Sequence, residues 1–218
     1  MNVHPIMVGA FASNCFIAHN ADREALIIDP GDDADVIIQH IRREKLSVAA
    51  ILITHGHIDH VSGLAEVSRA FPVPIAMHPV DVAWAFSESN QMPPYYDVPE
   101  APEKIERELS EGQTWTDIGY TYQVLELPGH SPGHVGFYFP EQHALFSGDV
   151  VFQGTVGRTD LPGGDGRVLT QSLKRLAELP DETVIYCGHG PSTTLADEKR
   201  QNPYLSYVAN RKPSNGSS

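Results

Sequence analysis

The stretch Thr54 to Gly63, THGHIDHVSG, follows five apolar residues, Ala49 to Ile53. That run has the length and β-branched content of a buried strand, so His55, His57, Asp59 and His60 stand where a strand ends. Residues two apart lie about 200° apart around a helix but on one side of an extended segment. His55 and His57 therefore converge only on extended or turning backbone, in the loop at the strand's carboxyl end where open α/β sheets place their ligands. Two histidines at i and i+4, the helix-borne zinc pair, are absent from this stretch. Asp59 and His60 then open a second apolar rhythm, Val61, Leu64, Val67, Ala70 and Phe71, that marks a new helix. Three histidines and one aspartate within six positions, none placed by amphipathicity, read as metal ligands rather than ordinary core residues.

Working outward, the 218 residues suffice to bury a core without disulfides, and no repeat or composition shift divides them. One domain over 1–218 is expected, with 211–218 as a polar, frayed tail. A net charge of −13 argues against nucleic acid or an anionic membrane surface as a general partner, and leaves a small molecule as the expected one. Cys15 and Cys187 form no paired pattern, which favours a reducing compartment, and the cytoplasm is the expected location. No basic segment followed by an apolar core opens the chain, and no run of about 18 apolar residues occurs, so neither a signal nor a membrane span is expected.

Apolar runs predict strands at Val3 to Val8, Asn14 to Ala18 and Ala25 to Ile28, the last ending in the turn Asp29-Pro30-Gly31. Asp32 or Asp33 is placed to cap a helix with Val36, Ile37, Ile41 and Leu46 on one stripe. With the Ala49 to Ile53 strand, the Val61 to Phe71 helix and a strand at Val73 to Met77, the rhythm is β-α-β-α-β, an α/β fold. Ser87 to Glu103, with four prolines and Tyr95-Tyr96, reads as a long loop, either a lid or a surface excursion, and Tyr95 and Tyr96 are candidates for a substrate mouth. Strands at Tyr120 to Leu127, His134 to Phe139 and Ala144 to Ser147 suggest a second, more antiparallel sheet. A helix over Gln171 to Glu178, a strand over Thr183 to Cys187 and a last helix from Thr194 to about Ala209 complete the reading.

Three more predicted strands end in ligand-type residues beside glycine: PGHSPGH presents His130 and His134, SGD presents Asp149, and CGHG presents His189. His55, His57, Asp59, His60, His130, Asp149 and His189 are more donors than one four-coordinate ion takes, and two metals sharing one carboxylate fit the number. No cysteine stands at these positions, so the nitrogen and oxygen set suits zinc first, and also iron or manganese.

THGHIDH with PGHSPGH, SGD and CGHG, in that order, resembles the metallo-β-lactamase superfamily, and specifically the short bacterial form of its glyoxalase II branch. Ile28-Asp29-Pro30-Gly31, Gly157-Arg158-Thr159-Asp160 and Asn202-Pro203-Tyr204 extend the likeness over nearly the whole chain. The resemblance implies a four-layer αβ/βα sandwich, two mixed sheets with helices on their outer faces. It implies one ion on His55, His57 and His130, a second on Asp59, His60 and His189, and Asp149 bridging them. Asp29 would hydrogen-bond beside the metal loop, and His134 would be a structural neighbour.

Two divalent ions make a nucleophile of water near neutral pH and polarise a carbonyl, so no Ser or Cys nucleophile is needed. Asp59 would both ligate and orient that water, which makes it the catalytic candidate. The branch implies thioester hydrolysis, of S-(2-hydroxyacyl)glutathione such as S-lactoylglutathione. The 29 residues after His189 are too few for the helical domain with which the longer enzymes grip glutathione, so loose binding is expected. Arg158 matches a basic substrate-binding position of the branch and is placed either to meet a glutathione carboxylate or to pair internally with Asp160 or Asp165. A mononuclear iron persulfide dioxygenase, similar in the same motifs, is the alternative, followed by a hydrolase of another ester or lactone.

Overall fold

The computed structural model describes residues 1–209; the expected tail at 211–218 lies outside them. The chain opens with β1 (Asn2–Val8), β2 (Ser13–His19), β3 (Glu24–Ile28), α1 (Ala34–Arg43), β4 (Ser47–Leu52), the single turn α2 (Ile58–Val61), α3 (Leu64–Ala70) and β5 (Ile75–Met77). It continues through α4 (Pro79–Ala85), β6 (Arg107–Glu108), β7 (Thr114–Asp117), β8 (Tyr120–Glu126), β9 (Val135–Phe139) and β10 (Ala144–Gly148). The hairpin β11 (Val151–Phe152) and β12 (Thr155–Val156), α5 (Gly166–Leu176), β13 (Val184–Cys187), β14 (Thr193–Thr194), α6 (Leu195–Gln201) and α7 (Pro203–Ala209) end it.

Two six-stranded mixed sheets result, ordered β1-β2-β3-β4-β5-β6 and β14-β13-β10-β9-β8-β7. In the first, β1, β2 and β3 pair antiparallel and β3 to β6 parallel. The second is antiparallel except where β10 meets β13. Successive side chains of a strand point to opposite faces, and here that alternation sorts the core into three apolar layers. Ile17, Ile27 and Ile51 face Ile37, Ile41, Leu64 and Val67 of the helices outside the first sheet. Their neighbours Phe16, Leu26, Ile28 and Leu52 face Tyr122, Phe137, Phe139 and Phe146 between the sheets. Leu145 and Ile185 face Leu169, Leu173 and Leu205 on the far side. Helix, sheet, sheet and helix are thus the four expected layers. No helix among the described residues is long and apolar enough to cross a membrane.

The departures from expectation have local causes. The Val61 to Phe71 rhythm is carried by two helices because the Gly63 N–H donates to the Gly31 carbonyl at 3.2 Å, and a Cβ on Gly63 would press on the Pro30 carbonyl. Asp33 stands at the α1 N-cap without capping it, and its carboxylate instead accepts the Gly9 N–H at 2.9 Å. The unforeseen α4 starts with Pro79 in its first turn and a His78 ring nitrogen accepting the Val80 N–H. α5 begins five residues before the expected Gln171 because the Asp165 carboxylate accepts the N–H groups of Arg167 and Val168, at 2.7 and 3.1 Å. The last helix divides at Asn202, since Pro203 cannot continue the ladder.

Candidate metal centre

β3 and β4 are parallel, as are β10 and β13, and the loops after all four strands meet at one edge of the two sheets. The edge is closed across the sheets by the Val135 N–H on the Thr54 carbonyl, 2.8 Å, and the Asn14 N–H on the Gly188 carbonyl, 2.7 Å. Ser13 donates to the Asp59 carbonyl at 2.6 Å, and the Asn14 amide donates to the carbonyls of Cys187 and Gly190. The start of β2 therefore fastens both the Asp59 turn and the His189 loop.

Asp29 leaves β3 in the left-handed region, φ 51°, which aims its carboxylate at the neighbouring loop. It accepts the Thr54 N–H at 2.7 Å, the Thr54 hydroxyl at 2.6 Å and His60 Nδ1–H at 3.1 Å. With its proton given to Asp29, the Thr54 hydroxyl accepts His55 Nδ1–H at 3.0 Å, and the Arg158 carbonyl accepts His130 Nδ1–H at 2.8 Å. In the neutral rings each of these bonds places the proton on Nδ1, the usual way a ligating imidazole is oriented; His130 Nε2 in turn lies 2.8 Å from His57 Nδ1. His55 Nε2, His60 Nε2 and Asp149 Oδ1 are buried without a hydrogen-bond partner. Orphaned buried acceptors of this kind are rare, and a cation is what this donor set fits.

The donor atoms fall into two triads, His55/His57/His130 and Asp59/His60/His189, each with one donor atom per residue within 4.8 Å of the others. Asp149 lies between them, its Oδ2 3.5 Å from His130 Nε2 and 3.5 Å from His189 Nε2, and its Oδ1 3.4 Å from His60 Nε2. Asp29, His55 and His60 also cluster, but both Asp29 oxygens are already committed to Thr54 and His60, so Asp29 is placed to orient candidate donors rather than to be one. Side chains would not fit where the loops cross: a Cβ on Gly31 would collide with the Asp59 carbonyl, and one on Gly188 with the Asp149 carboxylate.

Burial, and then the neighbouring His60 and His130 imidazoles respectively, hold His55 well below the usual imidazole range and His57 down at about 3. For His60 burial works the same way, but Asp149 and Asp59 outweigh it and raise the ring well above its ordinary value. His189 is raised against its burial by the hydrogen bond to Asp59, 3.1 Å, and by Asp149. Burial would lift both carboxyls, yet the imidazoles, His60 first, bring Asp149 well below the usual carboxylate range and lower Asp59 as well.

All seven candidate donors thus come together, and His134 stands behind them, its Nε2 accepting the Asp149 N–H at 3.0 Å. The substrate candidates are dispersed. The Arg158 guanidinium pairs with both oxygens of Asp160, at 2.7 and 2.9 Å, with the two side chains 59% and 69% exposed; only its carbonyl reaches the centre. Tyr95 and Tyr96 pack on Phe11, and the Tyr96 hydroxyl accepts the Ala10 N–H at 3.0 Å. The cleft beside the centre is instead lined by His57, Trp84, Asn90, Met92 and Leu161.

Asp81 is the residue that sequence reasoning missed. Fully buried on α4, it accepts the Gly56 N–H (2.8 Å), the Ser131 hydroxyl (2.6 Å), the Gly133 N–H (2.6 Å) and the Trp84 indole N–H (3.3 Å). One carboxylate so joins the loop of His55 and His57 to the loop of His130. Asn90 adds a second brace, donating to the Gly56 carbonyl at 2.8 Å. No short motif marks either residue.

The family model described as Metallo-beta-lactamase superfamily matches residues 8–189. Hydroxyacylglutathione hydrolase GloC of Haemophilus influenzae is 37% identical over 217 residues, covering 94% of this chain and 98% of that protein. Among solved structures, the BLEG-1 B3 metallo-beta-lactamase superposes with a TM-score of 0.87 at 36% identity, over 94% of this chain and 100% of that one. TTHA1623, solved in a di-iron-bound form, superposes with a TM-score of 0.84 at 40% identity, over 92% and 99%.

Proposed function

We propose, because this chain belongs to the metallo-beta-lactamase superfamily, that it is a metal-dependent hydrolase of thioesters with a two-ion centre. His55, His57 and His130 would hold one ion and Asp59, His60 and His189 the other, with Asp149 shared. The observation that carries the reading is the placement of Asp149 Oδ2, equidistant at 3.5 Å from one imidazole of each triad. Zinc is the ion proposed for this nitrogen and oxygen set, and iron is compatible, since the related TTHA1623 has been seen with two irons.

When bound, two divalent ions bring the pKa of water toward about 7 and polarise a carbonyl. The remaining work belongs to the chain. Asp59 Oδ2 faces the centre beside His189 and His60, where it would accept a hydrogen bond from the attacking water and aim it at the thioester carbon. Asp29 and the Arg158 carbonyl keep the proton on Nδ1 of His60 and His130, so that Nε2 stays available. The departing thiolate needs no proton from the protein. S-Acylglutathiones are the proposed substrates, S-lactoylglutathione being the 2-hydroxyacyl example that the name of the GloC relative supports.

Metal analysis paired with S-lactoylglutathione hydrolysis on one preparation tests the reading. The expected result is about two ions per chain and activity lost on chelation. Asp59→Ala should lower kcat by about 10²–10⁴-fold with KM little changed. One iron per chain, no thioester turnover and oxygen uptake on adding glutathione persulfide would overturn it in favour of a persulfide dioxygenase.

A further inference from the structure

His57 belongs both to the centre and to a cleft of about 280 Å³ that opens beside it. The Trp84 ring packs on His57 at 5.4 Å and forms one wall, with Met92, Pro132 and Leu161 completing an apolar lining. Its polar members, Ser89, Asn90 and Gln91, are neutral, and among the described residues no Lys, Arg, Asp or Glu lines it. The walls are braced to the metal loop itself. The Trp84 indole N–H is held by Asp81, and the Asn90 amide by the carbonyls of Gly56 and Ala85.

Glutathione carries two carboxylates and an ammonium, and a charge in such a cleft would lose its hydration without gaining a partner. Arg158 offers no help there, since both oxygens of Asp160 occupy its guanidinium. The volume also lies just below the roughly 300–1,000 Å³ usual for whole small-molecule ligands, so it suits a part of the substrate. The part that is uncharged, adjoins the scissile carbonyl and fits is the acyl group.

We infer that the Trp84, Met92 and Leu161 cleft is an acyl-binding subsite that selects apolar acyl groups larger than lactoyl. The inference rests on the thioesterase reading above and narrows its substrate class. A buried methylene in an apolar pocket discriminates by about 10–200-fold. S-phenylacetylglutathione should therefore show a kcat/KM about tenfold or more above that of S-lactoylglutathione, the thiol being the same. Leu161→Asp should bring that ratio to about one or below, with metal content and Tm confirming that the variant is folded and loaded.

A binding readout separates this inference from the reaction. Titrated into the metal-loaded protein, phenylacetate should bind at least about tenfold more tightly than acetate, whose carboxylate is the same. It should alter tryptophan fluorescence in the parent and not in Trp84→Phe, where Trp115 is the remaining indole. Hydrolysis of both thioesters at equal kcat/KM, with phenylacetate and acetate binding alike, would overturn the subsite and leave the hydrolase standing. No turnover of any thioester alongside selective phenylacetate binding would overturn the hydrolase and uphold the apolar subsite.

Discussion

His55, His57 and His130 form one half of the centre with no carboxylate among them, whereas Asp59, His60 and His189 form the other around one. Burial dominates the first half and keeps His55 and His57 neutral. In the second half Asp59 and Asp149 outweigh burial and favour protonated imidazoles. Equal residue types would therefore enter metal binding from opposite protonation states. His55 and His57 would offer neutral rings at once, and His60 and His189 would have to release protons before a cation replaced them.

Asp149 is the residue both halves share, so its loss should have the largest effect. Asp149→Asn is expected to reduce the metal content to about one ion or fewer per chain. It should lower thioester turnover by more than the roughly 10–100-fold typical of residues that stand behind ligands. Two retained ions and near-normal turnover would mean that the halves are independent.

Asp81 offers a way to loosen one half alone. Asp81→Ala leaves the Gly56 and Gly133 N–H groups and the Ser131 hydroxyl without their acceptor, at about 1–3 kcal/mol for each buried group left unpaired. Metal titration should show affinity falling about 10–100-fold at the His55/His57/His130 site and much less at the other. Equal weakening of both would remove the distinction.

Protonation gives the comparison a sign. With its folded pKa lowered to about 3, His57 binds fewer protons than the unfolded chain below about 6.5, so it makes the metal-free protein less stable as pH falls. His60 and His189, raised in the fold, stabilise below about 6.5, and that contribution is lost as pH rises through their folded values. The Tm of the metal-free protein should therefore decline on both sides of about pH 6.5. His57→Asn should relieve the acid limb, by about 2 kcal/mol at pH 5, and His60→Asn should flatten the alkaline one. A monotonic profile in the parent would contradict the assignment.

The smallest effect is expected at Arg158. Arg158→Ala removes an exposed ion pair but keeps the carbonyl that holds His130, so Tm and metal content should not change and the KM for S-lactoylglutathione should move by less than about twofold. A rise of about tenfold would mean that the guanidinium leaves Asp160 for a substrate carboxylate.

Much of the centre was legible in the chain. The seven candidate donors stand at or just after the ends of apolar runs, five of them (His55, His57, His130, Asp149 and His189) beside a glycine, and local spacing states which side chains leave a strand together. The layer each strand residue joins followed from the same alternation, Leu26 and Ile28 to one side and Ile27 to the other. Element boundaries were read less well at Gly63, Asp165 and Asn202, because there a cap or a crossing loop decides them rather than periodicity.

The sequence by itself determined the candidate donor set, the strand ends that carry it and the apolar alternation of the layers, since all of these depend on residues adjacent along the chain. Only the tertiary structure decided that Asp81 ties Gly56 to Ser131 across 25 and 50 residues, that the Arg158 fork closes on Asp160, and that Trp84 and Leu161 share one cleft. Such pairings leave no periodic trace, because hydrogen bonds and desolvation act between groups that meet only after the two sheets have packed.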